Sequence, residues 1–168
     1  MNPSVTEFPR PAPRVAKELL KSNGFLLARM GIGFKMRAIA LFEQEGFEHY
    51  DYSVLAILAE GIPETQATIA NTLNVDPSRL VAVLDSLEQR GLVARRRDPQ
   101  DRRRHVVSIT ADGKRDLTRL RDLTKKLENE YFAPLDEGER EALRELLLRL
   151  ACHNDPRCAS SVEPPPAA

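Results

Sequence analysis

Six arginines crowd one short stretch of this chain. Arg95, Arg96 and Arg97, then Arg102, Arg103 and Arg104, lie within Gly91–Thr110, GLVARRRDPQDRRRHVVSIT. A guanidinium is planar, permanently charged and presents a fork of donors, so a cluster of them suits phosphate oxygens or the narrow space between sugar walls in a minor groove. The chain as a whole carries 25 Lys and Arg against 25 Asp and Glu and is formally neutral. Positive charge gathered on one protrusion is therefore balanced by acid elsewhere, which is the electrostatic footprint of a nucleic-acid contact. Asp98 and Asp101 stand among the arginines and would orient them. The competing reading is a solvated hairpin whose arginines pair with acidic helices.

Two β-branched runs must position these arginines. Leu92 and Val93 begin one strand, Asp98 and Pro99 mark a turn, and Val106, Val107 and Ile109 supply the return strand of a two-stranded ribbon. Immediately upstream, Thr65 to Gln89 reads as two helices with a short break. In the first, TQATIANTLN, Thr65 is the N-cap, Ile69, Ala70 and Leu73 recur on one face, and Asn74 takes the left-handed conformation of the turn. In the second, VDPSRLVAVLDSLEQ, Asp76 is the N-cap, Pro77 occupies the first helical position, and Leu80, Val81, Leu84 and Leu87 form the buried stripe. Arg90 and Gly91 close that helix. Its N-terminal end exposes Pro77, Ser78, Arg79 and Ala82, where a recognition helix meets base edges, and Arg79 is the candidate for bidentate contact with a guanine. Thr65, Gln66 and Ser78 would hold phosphates. A helical pair followed by a basic ribbon is the order of a winged helix-turn-helix.

The run LDSLEQRGLV, followed by RRRDPQDRRRHVVSIT and ADG, resembles the MarR (multiple antibiotic resistance regulator) family of bacterial transcription regulators almost position for position. The similarity extends more weakly from about Val15 to Leu150. What the resemblance implies is a mainly α fold with a small β-hairpin wing and dimerisation helices at both ends. It implies that Arg103 enters the minor groove with Asp101 supporting it, flanked on the wing by Arg97, Arg102 and Arg104. One departure stands out: Arg79, Val81 and Ala82 occupy positions where many relatives carry Thr, Thr and Arg, so an operator sequence does not transfer.

The remaining chain fits a single domain over 14–152, with the winged helix-turn-helix at about 50–110 and dimerisation helices at about 14–45 and 111–152. A length of 168 residues with 42% apolar content buries a core without metals or disulfides. The proline-rich ends, 1–13 and 153–168, are expected to be disordered. No apolar run approaches the roughly 20 residues that cross a bilayer, and no signal-peptide pattern opens the chain, so a cytoplasmic protein is expected. In Arg14 to about Glu45 the apolar positions include Leu19, Leu20, Leu26, Leu27, Met30, Phe34, Ile39 and Phe42. Gly24, Gly31 and Gly33 interrupt them and call for a bend or a close helix crossing. A short helix follows over Tyr52 to Glu60.

After the ribbon, Thr110 or Ala111 opens a long helix to about Phe132, which Ala133 and Pro134 end. Asp136 and Glu139 form a capping box for a last helix to about Cys152, with a leucine stripe at 143, 146, 147 and 150 that needs a partner. By the resemblance that partner is a second copy of the chain, which would set two recognition helices about 34 Å apart over a pseudo-palindromic operator. The family pattern also implies repression relieved by a small amphipathic or phenolic effector. Phe34, Met36, Arg37, Phe47, His49 and Tyr52 are candidate effector contacts, and ordinary core packing is the alternative for the aromatic ones.

Other classes find less support. Three scattered histidines, His49, His105 and His153, with no phosphate loop, nucleophile elbow or paired carboxylates, argue against an enzyme. The peroxide-sensing branch of the family uses a cysteine in its first helix, and here no cysteine precedes Cys152. Cys152, His153 and Cys158 match no standard zinc spacing, and no cofactor is implied. An intermolecular disulfide through the two cysteines, a transcriptional activator and a winged-helix module that binds protein are the alternatives left open.

Overall fold

A computed structural model describes residues 14–62, 64–97 and 105–159. The described residues fall into two compact units divided between Met36 and Arg37. The first contains a 3-10 turn, Leu19–Lys21, and the start of helix α1, Asn23–Gln44. Ser22 accepts the Phe25 N–H at 3.2 Å where that helix begins. Leu19, Leu20, Leu27, Met30, Ile32 and Met36 are all exposed.

The second unit holds the core. After α1 come α2 (Asp51–Ala59), β1 (Glu64–Thr65), α3 (Gln66–Leu73), α4 (Pro77–Gln89), β2 (Val93–Arg97), β3 (His105–Ile109), α5 (Ala111–Tyr131), α6 (Glu137–Asn154) and a last turn α7 (Pro156–Ala159). Val54, Leu55 and Leu58 from α2, Ile69 and Ala70 from α3, Leu80, Leu84 and Leu87 from α4, Val107 from β3 and Leu117 and Leu120 from α5 meet in one cluster. Each such leucine taken out of water contributes about 1.5–3 kcal/mol. This cluster fixes α4 and the sheet as one body.

The caps follow the sequence. Thr65 and Thr68 form a reciprocal capping box on α3, and Asn74 ends that helix at φ 51°, ψ 47°. Asp76 accepts the Ser78 N–H with Pro77 in the first turn of α4, and Gly91 leaves the helix at φ 72°. Thr110 caps α5, and the Asp136–Glu139 box opens α6.

Three expectations are corrected. On α4 the fourth buried position is Val83, while Val81 is 39% exposed; at 100° per residue Val81 lies well off the Leu80–Leu84–Leu87 axis and Val83 closer to it. The ribbon is a three-stranded antiparallel sheet in the order β1-β3-β2, with Glu64 opposite Val107 and Thr65 opposite Val106. A two-residue strand has no periodicity to read, and only its partner defines it. Beyond Cys152, α6 runs to Asn154, Asp155 is extended, and Pro156–Ala159 form α7, where a disordered tail was expected. Asp155 grips the Arg157 guanidinium at 2.8 Å through both oxygens, and Arg157 Nη1 donates to the Asn71 carbonyl at 2.8 Å, which ties the turn to the end of α3. Among the described residues, a Cβ on Gly31 would meet nothing within 4 Å, and one on Gly24 only Ser22 Oγ at 3.8 Å.

Candidate nucleic-acid interface

The helix-turn-helix places its predicted contacts on one surface. Pro77, Ser78, Arg79 and Ala82 are all exposed on the N-terminal half of α4. Their exposure follows from the buried stripe, which turns the opposite side of the helix outward. Ser78 donates its hydroxyl to Asp76, and this bond with the Ser78 N–H holds the Asp76 carboxyl below its ordinary value. Between α3 and α4 runs an open groove of about 530 Å³, with Gln66, Ala67, Asn71, Asn74, Pro77 and Val81 along it.

Arg79 rests on an aromatic platform. Its guanidinium carbon is 5.1 Å from the centre of the Tyr50 ring, and Tyr50 in turn stacks on His49 at 4.4 Å. Such stacking narrows the rotamers of a long side chain while leaving its donor edges available. Tyr50, just before α2, carries no sequence signal for this role.

Thr65 and Gln66 are only partly available to phosphates. The Thr65 hydroxyl oxygen accepts the Thr68 N–H at 3.2 Å as the α3 cap. Gln66, with its amide oxygen turned toward the guanidinium, accepts from Arg95 Nη2 at 3.2 Å and Nε at 3.3 Å.

The wing arginines divide by role. In β2, successive side chains alternate faces, so Arg95 and Arg97 share one face and Arg96 takes the other. Arg96 and Arg97 are exposed, paired across the ladder with Val106 and His105. Arg95 instead turns onto α4, where Nη1 meets Asp85 at 2.5 Å and Glu88 at 2.9 Å. For this one arginine the pairing alternative holds. Asp98, Asp101, Arg102, Arg103 and Arg104 lie outside the described residues.

A second charged cluster braces the module from behind. Asp51 is fully buried, accepts the Glu48 N–H at 2.9 Å and pairs with Arg90 at 2.7 Å. Phe47 lies between two guanidinium carbons, Arg90 at 4.8 Å and Arg119 at 5.8 Å from its ring centre. The partner for Asp51 was not visible in sequence because Arg90 is 39 positions away.

The effector candidates of the second unit have different neighbours among the described residues. Phe47 is core, 3% exposed. Tyr52 packs on the core with its ring 5.8 Å from that of Phe42. His49 stacks on Tyr50, and Arg37 sits 5.1 Å over the Tyr131 ring. Phe34 and Met36 belong to the first unit, where Met36 is exposed. Among the described residues no three His, Cys, Asp or Glu side chains are grouped to hold a metal, and no helix is long and apolar enough to cross a membrane.

Comparisons with known proteins agree with this geometry. The MarR family model matches residues 48–105, which span α2 to the start of β3. A putative transcriptional regulatory protein for the hcr operon of Thauera aromatica is 30% identical over 149 residues, covering 84% of this chain and 89% of the relative. The solved structure of the transcriptional repressor CouR bound to a 23-mer DNA duplex is 30% identical, with a TM-score of 0.73, and covers 83% of this chain and 99% of its own. CouR from Rhodococcus jostii RHA1 bound to p-coumaroyl-CoA is likewise 30% identical, with a TM-score of 0.67 over 81% and 96% of the two chains. The buried stripe that turns α4 outward, the sheet beside it and these likenesses agree: the chain belongs to the MarR family and is a DNA-binding transcriptional regulator, not an enzyme.

Proposed function

We propose that the protein is a sequence-specific repressor that binds a pseudo-palindromic operator as a homodimer in the cytoplasm and releases it when a small effector binds. The observation that carries the reading is the joint exposure of the α4 N-terminus and of Arg96 and Arg97 on the strand packed against that helix. Helix and wing are held by one core, so α4 enters a major groove while the wing reaches the neighbouring minor groove. Arg79 is assigned to a base edge, Arg103 with Asp101 to the minor groove, and Thr65, Gln66 and Ser78, with Arg97, Arg102 and Arg104, to backbone contacts.

Dimerisation is supported by exposed apolar side chains on both units. Leu146 and Leu150 on α6 are about half exposed, as are Leu19, Leu20, Leu27 and Met30. Large apolar side chains left in water on a helix are the kind that an interface covers. Light scattering at micromolar concentration is expected to give twice the chain mass, and Leu146→Asp with Leu150→Asp to halve it.

The effector is assigned to the aromatic, amphipathic class. Support comes from CouR, whose structure holds p-coumaroyl-CoA. An effector that favours the lobe spacing poorly matched to DNA by about 1–3 kcal/mol weakens binding five- to over a hundred-fold. The test is selection of duplexes from a randomised pool by the full-length protein, followed by titration of the selected duplex with p-coumaroyl-CoA and simpler phenolic acids. Arg103→Ala is expected to abolish the selected shift, and Arg37→Ala with His49→Ala to blunt effector release while sparing DNA binding. Failure of the wild type to enrich any sequence would refute the reading.

A further inference from the structure

The outward face of α4 poses an electrostatic problem. Ser78, Val81, Ala82 and Asp85 fall on the side of the helix opposite Leu80, Leu84 and Leu87, so a carboxylate stands in the row that faces the groove. Glu88 follows on the edge nearest β2. The two side chains are 58% and 40% exposed. Bare carboxylates beside phosphates oppose association.

One residue answers both. The Arg95 side chain, only 17% exposed, places Nη1 at 2.5 Å from Asp85 Oδ1 and 2.9 Å from Glu88 Oε2, and the Arg95 backbone N–H donates to Glu88 Oε1 at 3.1 Å. The rest of the guanidinium faces the Gln66 side-chain amide, whose oxygen accepts when turned toward it, at the start of α3. Arg95 thus joins α3, α4 and β2 at one point. Its neighbours Arg96 and Arg97 remain exposed on the same strand.

We propose that Arg95 is a positioning residue for DNA recognition: it pairs with Asp85 and Glu88 on the reading face, offsetting one of their two charges, and clamps α4 to β2 and α3, and does not itself touch the duplex. The proposal rests on the sequence-specific reading above. It assigns the wing a task besides contact, since its base supplies the counter-charge that makes the recognition helix compatible with a phosphate backbone.

The experiment uses the full-length protein and the duplex that the wild type selects from a randomised pool. Arg95→Met keeps the apolar stem and removes the charge, and is expected to weaken binding by about 10- to 100-fold. Adding Asp85→Asn and Glu88→Gln to that variant is expected to restore affinity to within about threefold of wild type. A role confined to folding predicts no such rescue. Asp85→Asn with Glu88→Gln in the otherwise native protein leaves Arg95 uncompensated, so affinity for random-sequence duplex rises and its salt dependence steepens.

Wild-type binding by Arg95→Met overturns the proposal. So does a triple variant that stays as weak as Arg95→Met with an unchanged thermal midpoint, because Arg95 would then contact the DNA itself. Should Arg95→Met fail to fold, the Asp85→Asn, Glu88→Gln pair decides, and an unchanged salt slope on random duplex overturns the assignment. A wild type that selects no sequence refutes the underlying recognition reading before any variant is compared.

Discussion

Gly113, in the first turn of α5, has no room for a side chain. A Cβ built there would lie 2.1 Å from the Leu92 carbonyl oxygen, 2.9 Å from Ile109 Cγ1 and 3.0 Å from the Leu92 carbonyl carbon. Because real Cβ contacts stay beyond 3.0 Å, either α5 or the Leu92 carbonyl would have to retreat by about 0.9 Å. That carbonyl is not free to move. It accepts the Thr110 N–H and the Thr110 hydroxyl, both at 3.1 Å, and the hydroxyl also donates to the Gly91 carbonyl at 2.7 Å. Overpacking of this kind costs about 1–3 kcal/mol, and a disturbed hydrogen bond adds about 1 kcal/mol. Alanine returns about 1 kcal/mol of helix propensity. The net expectation for Gly113→Ala is a loss of about 1–3 kcal/mol, or a thermal midpoint lower by about 3–10 °C for a chain of this size. Scanning calorimetry at fixed protein concentration is the assay. Gly138→Ala in α6 serves as the control, since its Cβ would come no closer than 3.4 Å to Asp136 Oδ1. That variant is expected to hold or raise the midpoint. If Gly113→Ala unfolds at or above the wild-type temperature, the close approach of α5 to the base of the wing is wrong.

Three further outcomes are expected. Arg90→Ala strands the buried Asp51 carboxylate and is expected to cost about 3 kcal/mol by urea unfolding, whereas Arg90→Met combined with Asp51→Asn costs less because no charge is left unpaired. Asn74 sits at φ 51°; Asn74→Ala is expected to lose about 1 kcal/mol and Asn74→Gly to lose nothing, a comparison that thermal melts of the two variants settle. The Asp76 carboxyl is held below its ordinary value of 3.8 by Ser78, so its contribution is complete above that value and disappears as pH falls through the lower folded one. Asp76→Ala should therefore lower the melting temperature at neutral pH and match wild type well below pH 3.8, as circular dichroism at both conditions would show.

Local chemistry written in single residues was readable without a structure. Thr65, Asp76, Thr110 and Asp136 as caps, Asn74 as a left-handed turn, Pro77 at a helix start and Gly91 at a helix end each act through bonds to residues within a few positions. The same locality made the exposed arc of α4 legible, because a helix with a buried leucine stripe has only one other side. The wing strands were legible for a different reason: β-branched residues at Val93, Val106, Val107 and Ile109 favour a paired, pleated backbone.

What the tertiary structure decided lies between residues far apart in the chain. The strand Glu64–Thr65 exists only because β3 lies beside it, and the choice of Val83 over Val81 depends on the direction from which the core approaches α4. Arg95 reads in sequence as one more wing arginine, yet the fold sets it between Asp85 and Glu88. Asp51 and Arg90 find each other across 39 positions, and Arg157 reaches Asn71 across 86. Periodicity and capping report the geometry of one element, so the sequence determined the helices from α1 to α6 and most of the surface that α4 turns outward, but neither α7 nor the exposure of Val81. Pairings of charge depend on the distance between elements, which the packing of the shared core sets, and only the folded chain could assign them.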